Sequence, residues 1–226
     1  AHIWQLSMDA WERTRAGAHR VRARTMGAAL VARFGHDWKS NDWNDDIMWW
    51  VLSCLRAHRL FGDRVYLDDA KANFDWVWAT QRDDVLGGGI YEHNNQHVEK
   101  NSCVNFPAVI AAMDLADALN DATYREKGRS LFAWAKAKLS DGRGRIYDKI
   151  LTNGTVEGGS THYNQGTYIG ACVRLSRAFG GSYRADAVAA ANWTRSHLCS
   201  NGVLRFESHK DLQGGKLILI HHVAEL

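Results

Sequence analysis

The hexapeptide Phe61-Gly62-Asp63-Arg64-Val65-Tyr66 decides how this 226-residue chain is read, because it comes back twice. It returns as Leu119-Asn120-Asp121-Ala122-Thr123-Tyr124 and, one residue shorter, as Phe179-Gly180-Gly181-Ser182-Tyr183, which spaces the tyrosines 58 and 59 residues apart. Each copy ends one apolar helical pattern at a Gly or Asn and opens another at the Tyr. The helices that follow are predicted over 67–78, 125–139 and 184–198, with Ala70, Phe74, Val77 and Trp78 marking an apolar face, as do Leu131, Trp134, Ala135 and Leu139. Some 20 to 24 residues after each Tyr a glycine meets an aliphatic residue: Gly89-Ile90, Gly144-Arg145-Ile146 and Gly202-Val203. A second helix begins after each such turn, over 101–119, over 164–179 and from about Gly215. The segment 44–61 is the same element one repeat earlier, and 6–34 reads as the helix before it.

Eight helices in four hairpins account for the chain, taken as one domain over 1–226. A lone proline, Pro107, and the lack of alternating strand patterns fit an all-α fold. The two helices of each hairpin differ in kind. The 164–179 helix leaves a polar, aromatic-rich loop and is otherwise apolar, as an inner helix is. The 125–139 helix carries Arg125, Glu126, Lys127, Arg129, Lys136 and Lys138, as an outer one does. Repeated hairpins of this kind close into a toroid, and the N-terminal ends of the inner helices ring one mouth, where chemistry belongs.

Composition excludes several classes. The formal net charge is +3 with no concentrated basic run, and the Arg13–Arg33 stretch reads as a solvated helix face, so nucleic acid is not an expected partner. No run of about 18 apolar residues exists, so no membrane span is expected. Cys54, Cys103, Cys172 and Cys199 lack metal spacing and read as buried free thiols. His93 and His97 have the i, i+4 spacing of a zinc pair, but no third ligand accompanies them, so no metal and no cofactor are expected. Gly87-Gly88-Gly89 follows a helix and not a strand, which argues against phosphate binding.

The mouth gathers a consistent set. The first inner helix brings Asn44, Asp45, Asp46, Trp49 and Trp50. The second follows Tyr91 and Asn94 and opens at Asn101; the third follows Asp148 and opens through Tyr163, Asn164 and Gln165. Amides, acids and aromatics in this mix suit hydroxyl-rich, uncharged ligands, because each sugar hydroxyl both donates and accepts. Adjacent acids repel unless something uses the charge. Asp45-Asp46, with Trp43 before it and Trp49 after it, is the doublet with a sugar-cleaving setting; Asp68-Asp69 and Asp83-Asp84 read as a helix start and a solvated loop.

These residues resemble glycoside hydrolase family 76, the α-1,6-mannanases. The resemblance rests on Asn44-Asp45-Asp46-Ile47-Met48-Trp49-Trp50, on Tyr66-Leu67-Asp68-Asp69-Ala70 leading to Phe74-Asp75-Trp76-Val77-Trp78, on Gly87-Gly88-Gly89-Ile90-Tyr91 and on Tyr163-Asn164-Gln165-Gly166, in the family's order. It implies an (α/α)6 barrel and retaining endo-hydrolysis of α-1,6-mannan or manno-oligosaccharides by a secreted, periplasmic or cell-surface enzyme. It implies Asp45 as nucleophile, Asp46 as general acid/base, and substrate contacts from Asp148, Tyr163, Asn164 and Gln165, with Trp49, Trp50 and Tyr91 lining or supporting the subsites. Neighbouring helical carboxyls lie about 5 to 6 Å apart, close to the ~5–5.5 Å of retaining enzymes. At least one of Trp49 and Trp50 is expected in the core, since consecutive helical residues point about 100° apart. Six hairpins at this period would take about 350 residues, so the ring is expected to be incomplete, cut towards its C-terminal end. Three other readings stay open: a mannan transglycosidase of the same family, a non-catalytic glycan-binding fragment, and a sugar epimerase or isomerase using His93, His97 and His162.

Overall fold

The computed structural model describes residues 1–208, 212 and 214–226. Among these, nine α-helices alternate inside and outside a ring. They are α1 (His2–Thr14), α2 (Gly17–Phe34), α3 (Asn44–Phe61), α4 (Arg64–Thr80), α5 (Ser102–Leu119), α6 (Ala122–Leu139), α7 (His162–Phe179), α8 (Tyr183–His197) and α9 (Gly215–Ala224). Each odd-numbered helix from α1 to α7 packs on its even successor as a hairpin, and the odd helices also pack side by side from α1 to α9. α9 turns back towards α1, where His221 Nδ1 lies 3.4 Å from Asp9 Oδ1. The expected toroid is present as part of an (α/α)6 ring.

Burial follows the sequence pattern. α5 buries every residue from Ser102 to Met113, whereas α6 buries Tyr124, Gly128, Leu131, Phe132, Ala135 and Leu139, a single stripe at helical spacing. On length and composition α5 could cross a bilayer, but protein surrounds it and it serves as a core helix. The repeated turns stop their helices with left-handed residues, Gly62 at φ 79° and Asn120 at φ 52°. Asp121 accepts from the Thr123 amide to cap α6, and Thr161 caps α7 through the Asn164 amide. Cys54, Cys103 and Cys172 are buried free thiols, and Cys199 is half-buried and free.

Two expectations need correction. The 6–34 segment is not one helix: it breaks at Arg15, which is left-handed at φ 54°. Thr14 Oγ1 donates to Ala10 O at 2.6 Å and accepts from the Ala16 amide at 3.3 Å, which completes the turn. The reason is tertiary. Trp4 and Met8 bury inside the ring, and α2 folds back over α1 so that Ala23 O can accept from Trp4 Nε1 at 2.8 Å. The second correction is a small antiparallel sheet, β1 (Glu99–Asn101), β2 (Lys149–Leu151) and β3 (Val156–Glu157), joining the loops of the second and third hairpins; α5 therefore starts at Ser102. A further pair, β4 (Cys199–Ser200) and β5 (Val203–Leu204), lies after α8. Strands of two or three residues are too short to leave a periodic trace.

The loop from Gln81 to His93 is pinned from several sides, and it forms one wall of the mouth. Lys100, fully buried, donates its three hydrogens to Asp83 Oδ1 (2.8 Å), Val85 O (2.8 Å) and Gly88 O (2.6 Å). Trp134 Nε1 donates to Leu86 O, and its ring lies flat against Gly88 and Gly89. Gly89 combines φ +86° with a position where a Cβ would run into that ring, while Gly87 has φ +82° and open space. Gly89→Ala is therefore expected to cost about 3 kcal/mol or more, from backbone strain plus overpacking, and Gly87→Ala only about 1 kcal/mol. Urea denaturation of the two variants checks the difference.

Candidate active site

α3 begins where the mouth opens, and its first turn carries Asp45 and Asp46, where acids meet the positive end of the helix. The helix start is seated on the 91–93 loop: the Asn44 amide donates to Glu92 O at 2.7 Å and Asn44 Nδ2 to Tyr91 O at 2.9 Å. A cleft of about 610 Å³ opens above it. Trp43, Asp45, Asp46, Trp49, Glu92 and Tyr163 line it, together with His2 and the start of α9. Trp43 is 48% exposed and stands at the rim with its edge against His93, and Trp49 packs edge-on to His2.

Burial, and then the charge of Asp46, push Asp45 up to about 7, against the pull of the backbone N–H groups of Asp46 and Asp45 itself. The pair therefore holds one proton to near neutrality. Glu92 is pushed up to about 8 by burial and by hydrogen bonding to Glu99, with smaller contributions from Asp45. Burial also raises Asp148, and Tyr163 is raised by burial and by the Cys103, Asp148, Asp45 and Glu92 side chains around it.

The expected site residues divide into two groups. Asp45, Asp46, Trp49 and Tyr163 stand in the cleft. Asp148 and Asn164 form a pair beside it, with Asn164 Nδ2 donating to Asp148 Oδ1 at 3.0 Å. The others lie outside the cleft lining and contact other parts of the chain. Trp50 is fully buried and stacked on Trp38 at 5.0 Å, so it is the core member of the tryptophan pair. Tyr91 is buried, stacked on His97 at 4.3 Å, and donates its hydroxyl to Asp83. Asn44 seats the helix, as above. Asn94 Nδ2 donates to the carbonyl of Asn41 and braces the preceding loop. Asn101 is the buried residue before α5 and accepts at its carbonyl from Asn105. Gln165 accepts from the Ile146 amide (2.7 Å) and donates to Gly144 O (2.9 Å), holding a turn in place. Amides at inner-helix starts read the same in sequence whether they face a ligand or a backbone.

The histidines stand apart from the acids. His97 Nε2 donates to Gln81 Oε1 at 3.1 Å, and His162 is buried with Nδ1 at 2.7 Å from Glu207 Oε2. Two clusters bring possible metal-ligand atoms within 4.8 Å of one another: Asp45, Glu92 and Cys103, and His221, His222 and Glu225. Both are accounted for by protons and ion pairs. Burial keeps the Cys103 thiol protonated, and it donates to Glu92 Oε1 at 3.2 Å. Glu225 pairs with Arg174 at 2.6 Å and with His222 Nδ1 at 2.8 Å. A second cavity of about 460 Å³ lies along the inner helices near these residues, but its charges neutralise one another, Arg56 with Asp9 and Glu12, and Arg174 with Asp114 and Glu225. Glu92 is a cleft residue that the sequence places at the mouth, between Tyr91 and His93 in the loop after the glycines, without giving it a role.

The profile described as "Glycosyl hydrolase family 76" matches residues 1–218. The Lin0763 protein of Listeria innocua superposes with a TM-score of 0.92 at 27% identity, over 100% of this chain and 66% of that one. The GH76A α-1,6-mannanase of Salegentibacter sp. HEL1_6 gives 0.88 at 28% identity, over 98% of this chain and 67% of that one. An inactive variant of that mannanase, with two consecutive aspartates changed to alanine, has been solved in complex with α-1,6-mannotetrose and gives 0.89 at 28% identity over the same shares. The chain thus spans about two thirds of the length of these structures. No curated protein matches it. On the family profile, the helical ring and the acid pair in its mouth, the chain belongs to glycosyl hydrolase family 76.

Proposed function

We propose that this chain carries the catalytic pair of a retaining endo-α-1,6-mannanase, with Asp45 as nucleophile and Asp46 as general acid/base. One observation carries the reading: of three aspartate doublets, only Asp45-Asp46 stands in an aromatic-lined cleft. Asp68 pairs with Arg64 on the surface and Asp69 with His36, while Asp83 is used up by Lys100 and Tyr91. The relatives support it, since a Salegentibacter mannanase is inactive once two consecutive aspartates are lost.

In the first step a carboxylate oxygen of Asp45 bonds to the anomeric carbon as the glycosidic C–O bond breaks, and Asp46 gives its proton to the departing oxygen. In the second step Asp46 takes a proton from water, the water oxygen bonds to the anomeric carbon, and Asp45 is released. Two inversions leave the product α-configured. Depth in the cleft and proton affinity point in different directions here. Asp45 is the more buried carboxyl, suited to attack the face opposite the leaving oxygen, yet it also binds the proton more tightly than a free Asp. Protons of a coupled pair belong to the pair. Positive charge growing at the anomeric carbon favours an ionised Asp45, which moves the proton to the exposed Asp46. Trp43 at the rim and Trp49 in the wall offer faces for pyranose rings. A mannan polymer as substrate fits action outside the cell membrane.

Two outcomes test this. Asp45→Asn and Asp46→Asn are each expected to lower kcat/KM on linear α-1,6-mannan by about a thousandfold or more, with α-configured product from the wild type read by NMR. Azide separates the roles on an activated α-mannoside. It should rescue Asp46→Ala with an α-mannosyl azide and Asp45→Ala with a β-mannosyl azide; the opposite pairing would exchange the two assignments. The pH profile forms the second prediction. The pair must hold one proton to work, so kcat/KM should fall about tenfold per pH unit above about 7, where that proton is lost.

A further inference from the structure

Glu92 stands where three parts of the site meet. Its carbonyl accepts from the Asn44 amide, and its own amide donates to Glu99 O at 3.3 Å. Its side chain faces Asp45 from the cleft wall, with Asp45, Glu92 and Cys103 bringing oxygen or sulfur atoms within 4.8 Å of one another. The Cys103 thiol donates to one carboxyl oxygen, and the carboxyl hydrogen-bonds the Glu99 carboxyl. Glu99 in turn accepts from Lys149 Nζ at 2.8 Å.

We propose that Glu92 is a third functional carboxyl of this site, a positioning residue that shares a proton with Glu99 and so holds the loop on which the catalytic end of α3 is seated. Two carboxyls can hydrogen-bond each other only if one keeps its proton. The groups around this pair decide which. Lys149 on β2 favours charge on Glu99, and Asn101 on β1 adds a hydrogen bond to that charge. Asp45 on α3 disfavours charge on Glu92, the protonated Cys103 on α5 donates to it, and Asp148, just before β2, and Tyr163 on α7 supply no positive charge. The proton therefore sits on Glu92, consistent with a carboxyl pushed up to about 8 beside one held below its ordinary value. While neutral, Glu92 adds no negative charge next to Asp45. Once ionised it repels both Asp45 and Glu99, and the loop keeps only its backbone bond to Glu99 as a tie to β1. Its hold on the helix start is a property of the chain; its effect on turnover rests on the glycosidase reading above.

Sign follows from linkage. The folded protein binds this proton more tightly than the unfolded chain, so the stability it contributes is complete below about pH 4.3 and is lost as pH rises towards 8. Glu92→Gln keeps a donor towards Glu99 and cannot ionise. The melting temperature of Glu92→Gln minus that of the wild type should grow by about 3 °C or more between pH 5 and pH 8.5. In kinetics on α-1,6-mannan, the wild-type log kcat/KM should steepen from a slope of −1 above pH 7 towards −2 past pH 8, while Glu92→Gln stays at −1. Glu92→Ala should lose tenfold or more at pH 6, with Glu92→Gln recovering most of it.

A difference in melting temperature that stays constant with pH overturns the proposal, and so do equal kinetic slopes in wild type and Glu92→Gln. A wild type without turnover would overturn the mannanase reading, and the melting series would still decide whether Glu92 holds its proton. If Glu92→Gln does not fold, Glu99→Gln serves. It can donate to an ionised Glu92, so the wild-type loss of stability between pH 5 and pH 8.5 should shrink, and an unchanged loss overturns the proposal.

Discussion

Everything at the mouth depends on buried amide side chains that hold backbone turns. Asn105 accepts from the Ile90 amide and donates to Ile90 O, both near 2.9 Å. Gln165 does the same one repeat later with Ile146 and Gly144, and Asn44 reaches Tyr91 O. All three amides are fully buried. A buried amide without partners costs about 1–3 kcal/mol, so each one fixes its turn in a single geometry. Each clamp joins an inner helix to the loop that arrives from an outer one. The acid pair on α3 is thus held by the chain segment 46 to 48 residues further on, not by its own neighbours.

The same rigidity explains why the cleft tolerates so many ionisable groups. Asp45 and Glu92 line the cleft with Glu99 and Asp148 behind them, and Lys149 is the near cation. Left in water these carboxyls would all ionise below pH 5. In the wall, burial and mutual repulsion spread their proton affinities, from Glu99 held below its ordinary value to Asp45 near 7 and Glu92 near 8. Spread affinities are what a site needs to run an acid and a base from the same side-chain chemistry. The opposite arrangement holds deeper along the inner helices, where Arg56 and Arg174 neutralise their acids and leave no group free for chemistry.

The ring itself was legible. The 58-residue repeat, its Gly and Asn stops and the contrast between α5 and α6 required no tertiary information, because helix stops and amphipathic stripes are local properties. The place of Asp45-Asp46 at the mouth was legible too, since they open an inner helix with Trp43 and Trp49 on either side. The break at Arg15 was not, because the left-handed residue is an arginine, Gly17 two residues on is a weak mark, and it is Trp4 docking inside the ring that favours it. The three-stranded sheet left no trace in two- and three-residue strands.

The sequence by itself determined most of the helices, which of them lie inside, and which carboxyls could do chemistry. Only the tertiary structure decided the function of each polar side chain at the mouth. Asn44, Tyr91 and Gln165 have the composition of a sugar-binding rim, yet each hydrogen-bonds another part of the chain through its side chain, while Glu92 lines the cleft. The physical reason is that an amide or acid pairs with whatever lies within about 3 Å, and that partner comes from another repeat of the ring.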